Sequence, residues 1–530
     1  MDQATERPLA AALQGGRHPA RVSNPGADVN ILFITSDQQR ADCYGFMGRK
    51  VKTPHLDMMA REGTHFTSCI TPNLVCQPTR ASILTGLLPA THGVSDNGID
   101  LPDATGEAGY AGGFSKACYA TGYIGKAHFK TANTFASTGS KECRNTPQPQ
   151  DWWGPYMGFK HVELMVEGHN TKPPLKPPFA QHYERWYYAD GRGDEKNRLL
   201  MERQPPVSDA AQTYNSALPV AWHNSTWIGD RTIEFLRANK DKPFCAWASF
   251  PDPHHPFDCP DPWNRLHHPD EVDLPEHRTM DLERRPWWHK ESLYGTPKLE
   301  NAELRNFREK HSRTPVQTDK QLRELIANYY GMISLIDHNV GRILTALDQF
   351  GLSKDTLVVF STDHGDWLGD HGLILKGPMA YEGLLKVGLI VRGPGVPAGK
   401  VVNDAVSTID LPATFADYAG VQLADARHSR SLKPLIEKNG TRDFAYSEWD
   451  LRASRCGVDL WLRTVRTKTH KLTLETNSGA GELYDLANDP QEMDNRFDDP
   501  GMRTARKELE DMIASRPKDQ IAPLPQIGMA

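Results

Sequence analysis

The sequence lacks the features that would place it in several large classes of protein. Its eight cysteines include no Cys-x-x-Cys pair, so neither a zinc site nor a disulfide scaffold is indicated. No apolar run is long enough to span a membrane. The net charge of −6 gives no reason to expect nucleic acid or an anionic membrane as a partner. Any positive charge that an anionic substrate requires must therefore be local.

A secretory signal pattern is also missing from residues 1–28. The longest apolar run there, residues 9–13, is too short for the hydrophobic region of a signal peptide. Asp2 and Glu6 stand where such a peptide would carry positive charge. We expect these residues to form an N-terminal tail, and we expect the protein in the cytoplasm.

The 530 residues can support one large α/β domain and a smaller one. Apolar runs at 29–36, 244–250 and 356–361 are typical of strands buried on both faces, as in parallel sheets. Residues 319–350 carry apolar side chains at helical spacing and predict a long core helix. Past Gly420, alternating segments predict a smaller antiparallel sheet, followed by a helix at 502–516.

Polar side chains stand directly after the apolar runs. In open α/β sheets, ligand sites are built at the carboxyl ends of the strands. Residues 120–128 predict another strand, and alternation along it would place Lys126 and His128 on one side. The residues that follow the three apolar runs are Asp37 and Gln38, His254 and His255, and Asp363 and His364.

Residues 76–86 predict a loop that enters a helix. Pro78 is tolerated at the first helical position, and Gly86 is a natural stop. Cys76 and Arg80, four residues apart, would then share one face at the electropositive helix end. A thiol beside a guanidinium at such an end suits a sulfate or phosphate.

This stretch, Cys-x-Pro-x-Arg followed by Leu84-Thr85-Gly86, resembles the signature of the formylglycine-dependent sulfatases. The resemblance extends over residues 30–495 and includes Gly-Lys-x-His at 125–128 and Pro-His-x-Pro at 253–256. It implies an alkaline-phosphatase-like α/β fold: a large central, mostly parallel sheet flanked by helices, and a smaller C-terminal antiparallel sheet with a helix. We expect a catalytic domain at 29–420, with insertions near 137–225 and 258–315, and a C-terminal subdomain at 421–530.

The resemblance also implies the site. A formylglycine-generating enzyme would oxidise Cys76 to formylglycine, whose hydrate is the nucleophile. One divalent metal would be bound by Asp37, Gln38, Asp363, His364 and residue 76. Asn97 is either a substrate contact or only a turn residue before Gly98. The other implied catalytic residues are Arg80, which holds residue 76, Lys126 and Lys376, which stabilise charge, His128 as base and His254 as proton donor.

The chain departs from the common sulfatase pattern at the metal site. Gln38 and His364 replace the second member of each ligand pair, as in phosphonate monoester hydrolases and choline-sulfatase-like enzymes. One carboxylate fewer and one imidazole nitrogen favour Mn²⁺ over Ca²⁺. Lys126 and His128 argue against a pure phosphonate hydrolase.

These patterns predict an arylsulfatase-like hydrolase of sulfate monoesters, with side activity on phosphonate monoesters or phosphodiesters. One alternative makes the phosphorus esters the principal substrates. A second alternative is a catalytically silent protein that binds sulfate or a glycan. We expect a homo-oligomer.

Overall fold

The computed structural model describes residues 29–134, 136–166, 169, 173–179, 181–300, 302, 305–306 and 316–528. The predicted tail at 1–28 lies outside these residues, as do parts of both predicted insertions. Within the described part, no helix is long and apolar enough to cross a membrane. All eight cysteines belong to it, and all are free thiols.

Strands and helices alternate through most of the chain. The strands are β1 Asn30–Ser36, β2 Thr64–Ile70, β3 Ala120–Lys126, β4 His161–Met165, β5 Thr213–Ser216, β6 Phe244–Ser249, β7 Phe257–Pro260, β8 Thr356–Thr362, β9 Lys386–Arg392, β10 Lys400–Val402, β11 Val406–Ser407, β12 Phe444–Leu451, β13 Leu460–Thr467, β14 His470–Glu475 and β15 Gly481–Asp485.

The helices carry their own numbering. They are α1 Pro54–Glu62, α2 Cys76–Thr85, α3 Pro89–His92, α4 Asp103–Glu107, α5 Tyr110–Lys116, α6 His182–Tyr188, α7 Gly193–Met201, α8 Asn224–Ala238, α9 Trp287–Tyr294, α10 Asp319–Gln349, α11 Glu382–Leu385, α12 Leu411–Ala419, α13 Lys433–Glu437, α14 Ala453–Cys456 and α15 Arg503–Ala514.

The large sheet has the strand order β10-β2-β9-β8-β1-β6-β3-β4, with β11 beside β2. Its pairs are parallel, except that β9 runs antiparallel to β2 and β8. One face packs against α2, α5 and α12, and the other packs against α1, α8 and α10. The predicted α/β fold with a mostly parallel central sheet is therefore confirmed.

Four neighbouring parallel strands, β8, β1, β6 and β3, end at the same edge. Ser36 pairs with Thr362, Thr35 with Ser249, and Ser249 with Gly125. The polar residues that follow these strands therefore start from one level and meet above the sheet edge.

The second sheet, β12-β13-β14-β15, is antiparallel throughout. Helix α15 packs on it through Leu509, which joins Val465, Leu472 and Leu483 in a small core. This confirms the smaller C-terminal sheet with its helix. The division of the chain at residue 420 stays a prediction.

Local details differ from the sequence prediction. Strand β3 ends at Lys126, and His128 has φ 54°, so alternation along an extended strand does not orient these two side chains. Helix α2 begins at Cys76, two residues before Pro78, because the first helical turn has no internal partner for its N–H groups and tolerates proline. Helix α10 ends at Gln349, one residue early. The structure also contains many elements that the sequence analysis did not predict, among them β4, β5, β7, β12, α6 and α7.

Candidate active site at the carboxyl edge of the central sheet

The site is centred on Cys76, the first residue of α2. Every residue of this helix is buried, and Gly86 ends it in the left-handed conformation at φ 68°. The Cys76 thiol, at the position where the sequence predicts a formylglycine hydrate, lies 3.0 Å from Lys376 Nζ and 3.1 Å from His364 Nε2. Burial and Asp37 raise its pKa, but Lys376, His364 and Lys126 outweigh them and hold the pKa well below the usual range.

Arg80, one helical turn later, connects the two carboxylates of the site. Its Nε donates to Asp363 Oδ2 at 2.9 Å, and its Nη2 donates to Asp37 Oδ2 at 3.2 Å. Nη1 donates at 2.8 Å to the Lys126 carbonyl and at 2.8 Å to Ser249 Oγ. Arg80 therefore ties together the ends of β1, β3, β6 and β8, in addition to lying on the Cys76 helix.

Four potential metal ligands converge here. Ligand atoms of Asp37, Cys76, Asp363 and His364 lie within 4.8 Å of one another, and all four residues are buried. His364 Nδ1 donates to the Gly365 carbonyl at 2.8 Å, which leaves Nε2 directed at the cluster. Two buried carboxylates and an imidazole with its second nitrogen anchored fit a divalent metal.

Gln38, the remaining predicted ligand, has an unusual backbone with φ 66°. The Tyr329 hydroxyl, from α10, donates to the Gln38 carbonyl at 2.6 Å. The side-chain Nε2 donates to Asp366 Oδ2 at 2.6 Å, and the amide lies 3.2 Å from His255 Nδ1. With Nε2 bound by Asp366, Oε1 is the atom that Gln38 can offer to a metal.

Asp366 and Tyr329 are contributors that the sequence interpretation missed. Asp366 Oδ1 accepts the backbone N–H groups of Leu368 and Leu375. The sequence could have indicated Asp366, because it lies two residues after His364 in the segment that follows β8. Tyr329 gave no such signal, because its position fits the apolar stripe of α10.

Lys376 connects the thiol to His254. Its Nζ lies 3.0 Å from His254 Nε2 as well as 3.0 Å from Cys76 Sγ. His254 Nδ1 donates to the His255 carbonyl at 2.6 Å, so Nε2 is the nitrogen that faces the site. Burial and the Lys376 charge lower the pKa of His254 well below its usual range.

The predicted pair Lys126 and His128 reaches the site from the end of β3. Lys126 Nζ donates to Asp37 Oδ2 at 2.5 Å. His128 is buried, and neither ring nitrogen has a hydrogen-bond partner among the described residues. Burial and Lys126 lower the pKa of His128, against the opposite effect of the nearby Cys76. This buried imidazole beside the thiol is available for a ligand.

Asn97, which follows α2 in the chain, contacts the first turn of this helix. Its Oδ1 accepts the Gln77 N–H at 3.0 Å, one of the N–H groups that the first helical turn leaves unpaired. Asn97 thus supports the helix that carries Cys76, and its contact with a substrate stays a prediction.

Comparison with known proteins assigns the chain to a family. The sulfatase family profile matches residues 29–421, which contain every site residue described above. The chain belongs to the sulfatase family. A profile for the C-terminal region of N-sulphoglucosamine sulphohydrolase also matches this sulfatase, at residues 369–519.

Individual relatives agree with the family. The sulfatase is 30% identical over 483 residues to an arylsulfatase from Clostridium perfringens (strain 13 / Type A), covering 88% of this chain and 89% of that one. It resembles the phosphonate monoester hydrolase of Agrobacterium radiobacter with a TM-score of 0.71 and 25% identity, covering 92% and 95% of the two chains. The phosphonate monoester hydrolase from Silicibacter pomeroyi shares the fold, with a TM-score of 0.75, 22% identity and coverage of 93% and 96%.

The family and the arylsulfatase relative support a sulfuric ester hydrolase. The phosphonate monoester hydrolase of Agrobacterium radiobacter, as a structural neighbour, confirms the predicted position of the chain near the border of these two groups of enzymes.

Proposed function

We propose that this sulfatase hydrolyses sulfate monoesters with a formylglycine nucleophile made from Cys76. The observation that carries the proposal is the convergence of Lys376, His364 and the metal-ligand carboxylates on the residue 76 side chain. An ordinary thiol would give a covalent ester that a separate attack must cleave. A formylglycine hydrate has a second hydroxyl group that can release the sulfate.

The second part of the proposal is a divalent metal at Asp37, Gln38, Asp363 and His364. When bound, such a metal supplies positive charge to the substrate and to the attacking hydroxyl. Mn²⁺ fits this set better than Ca²⁺, because His364 contributes nitrogen and Gln38 is neutral. Arg80 holds the carboxylates of Asp37 and Asp363 in place.

Lys376 and His254 act together on the leaving group. A sulfate ester bound at residue 76 places its oxygens beside Lys376 Nζ, which stabilises negative charge there. The same anion favours the protonated form of His254, opposing the effects of burial and Lys376. His254 Nε2 then donates its proton to the departing alcohol oxygen.

Lys126 and His128 act at residue 76 and not on the leaving group. Lys126 Nζ stabilises charge next to Asp37, and neutral His128 is the base that removes a proton from residue 76 when sulfate is released.

The proposal is tested by sulfate release from 4-nitrophenyl sulfate, using protein purified from its own cells. We expect wild-type turnover, no turnover by Cys76→Ala, and unchanged turnover by the matched control Cys118→Ala, whose thiol is exposed. Equal turnover by Cys76→Ala and wild type would contradict a nucleophile at residue 76.

A second candidate function is hydrolysis of phosphonate monoesters or phosphodiesters. Gln38 and His364 at the metal site, together with the Agrobacterium radiobacter neighbour, favour it. The two candidates are ranked by kcat/KM for phenyl sulfate and for phenyl phenylphosphonate, which release the same phenol. We expect the larger value for the sulfate; the reverse order makes the phosphonate the principal substrate class.

A further inference from the structure

Helix α2, which begins at Cys76, lacks a side-chain cap from the residue that precedes it. That residue is Val75, whose side chain makes no hydrogen bond to the helix. The contact comes instead from Asn97, whose Oδ1 accepts the Gln77 N–H at 3.0 Å. Gln77 is the second residue of the helix, a position whose N–H an N-cap side chain normally binds. Asn97 therefore caps the helix of the nucleophile from a separate loop.

The neighbouring residue Asp96 holds this cap in place. Its side chain is almost inaccessible to solvent, and its Oδ1 accepts the Asn97 N–H at 2.8 Å. Arg455, from α14, binds both oxygens of the same carboxylate: Nη2 donates to Oδ1 at 2.7 Å, and Nε donates to Oδ2 at 3.0 Å. A two-point contact of this kind adds geometric specificity to the attraction between the charges. Arg455 therefore fixes the orientation of the oxygen that binds Asn97.

The Arg455 guanidinium also contacts an aromatic ring. Its central carbon lies 5.5 Å from the ring centroid of Trp449, a buried residue of β12. Burial lowers the pKa of Arg455, but the net effect, mainly from the Asp96 carboxylate, is a raised pKa. A smaller contribution in the same direction comes from Cys76, so the guanidinium lies within electrostatic range of residue 76.

A second contact leads from α14 to Asn97. Ser454 Oγ donates to Gln526 Oε1 at 2.7 Å, and Gln526 Nε2 lies 3.4 Å from the Asn97 carbonyl oxygen. The route through Arg455 is the stronger one, because charge-assisted hydrogen bonds are about twice as strong as neutral ones. Two consecutive residues of α14 thus connect the C-terminal part of the chain to the start of α2.

We propose that Arg455 is a positioning residue that acts through Asp96 and Asn97 on the first turn of α2 and so sets the position of the residue 76 nucleophile. This inference rests on the proposed function. Within the described part of the chain, the hydrogen bonds of Arg455 go to Asp96 and not to the groups that bind the sulfate or the metal. A misplaced nucleophile weakens the transition state and not the binding of the substrate, so the loss falls on kcat.

The test measures kcat and KM for 4-nitrophenyl sulfate, with kcat expressed per formylglycine at residue 76 as determined by mass spectrometry. We expect Arg455→Gln to lower kcat by about tenfold to a hundredfold and to change KM by less than about threefold. Arg455→Lys keeps the charge without the two-point contact, so its loss should be smaller, at several-fold. Arg192→Gln is the matched control, because Arg192 makes the same two-point contact with Glu195 on the surface; it should keep the wild-type kcat.

A double variant shows whether Arg455 acts through Asp96. Asp96→Asn should also lower kcat, and Asp96→Asn/Arg455→Gln should lose no more than the larger of the two single losses. Losses that multiply in the double variant would overturn the proposal, because the two residues would then act independently. Arg455→Lys replaces Arg455→Gln in this comparison if the glutamine variant does not fold.

The outcomes separate this inference from the proposed function. No hydrolysis by the wild-type enzyme overturns the proposed function. A wild-type kcat in Arg455→Gln, or in Arg455→Lys if only the lysine variant folds by circular dichroism, overturns only the role of Arg455. A loss confined to KM also overturns it, because Arg455 would then bind the substrate and not position the nucleophile.

Discussion

Replacing Arg80 should destabilise the protein and disable the site together. One guanidinium donates to carboxylates of two strands, Asp37 on the β1 side and Asp363 on the β8 side, and to the Lys126 carbonyl and Ser249 Oγ. Lysine keeps the charge but has a single nitrogen, which cannot reproduce this fork across strands. Arg80→Lys and Arg80→Gln therefore separate the geometry of the fork from its charge.

The magnitude follows from burial, since Arg80 and both carboxylates are nearly inaccessible to solvent. Arg80→Lys leaves at least one buried acceptor unpaired, which costs about 1–3 kcal/mol of unfolding free energy. Arg80→Gln removes the buried charge and should cost about 3–5 kcal/mol. A bound divalent metal supplies charge to the same carboxylates, so both losses should be smaller with Mn²⁺ than in metal-free protein.

The first assay is urea unfolding monitored by circular dichroism, with and without Mn²⁺. The second assay measures kcat/KM for an aryl sulfate. We expect kcat/KM of Arg80→Lys to fall by about a hundredfold, because the carboxylates and residue 76 shift relative to each other. Arg61→Lys, on the exposed end of α1, is the matched control and should behave as wild type. Wild-type stability of metal-free Arg80→Gln would refute the reasoning.

Three further predictions concern residues around the site. Asp366→Asn places an amide against Gln38 Nε2 and should weaken Mn²⁺ binding about 10–100-fold in a metal titration; unchanged affinity would count against Gln38 as a ligand. Burial raises the pKa of Glu142 to about 7, so folding favours its protonated form, and the stability it contributes is lost as pH rises. Relative to wild type, Glu142→Gln should therefore gain about 2–3 kcal/mol of unfolding free energy from about pH 5 to about pH 8, and a constant difference would contradict this. Deleting residues 520–530 removes the Gln526 contact with the Asn97 carbonyl and should lower kcat several-fold while circular dichroism stays unchanged; an unaltered kcat would show that this segment does not support α2.

The sequence allowed the main architecture to be predicted because the apolar runs and the polar residues after them agree. β1 and β8 are buried at every position, and Asp37 and Asp363 follow within one residue of their ends. The parallel register then fixes that these residues meet. At these strands the local sequence pattern is therefore sufficient to predict where the site residues lie in the folded protein.

The remaining details depend on tertiary contacts that no local pattern encodes. The φ of His128 and of Gln38 is positive, and nothing in the alternation of the neighbouring residues indicates it. Tyr329 looks like any core residue of α10, yet its hydroxyl contacts the Gln38 carbonyl.

The central claim is that residue 76 of the working enzyme is a formylglycine. It is tested most directly by mass spectrometry of tryptic peptide 62–80 from protein purified from its own cells, with fragmentation to distinguish residue 76 from Cys69 in the same peptide. We predict the mass of an aldehyde in place of the thiol at residue 76 and an unmodified thiol at Cys69. An unmodified thiol at residue 76 in fully active protein would contradict the account.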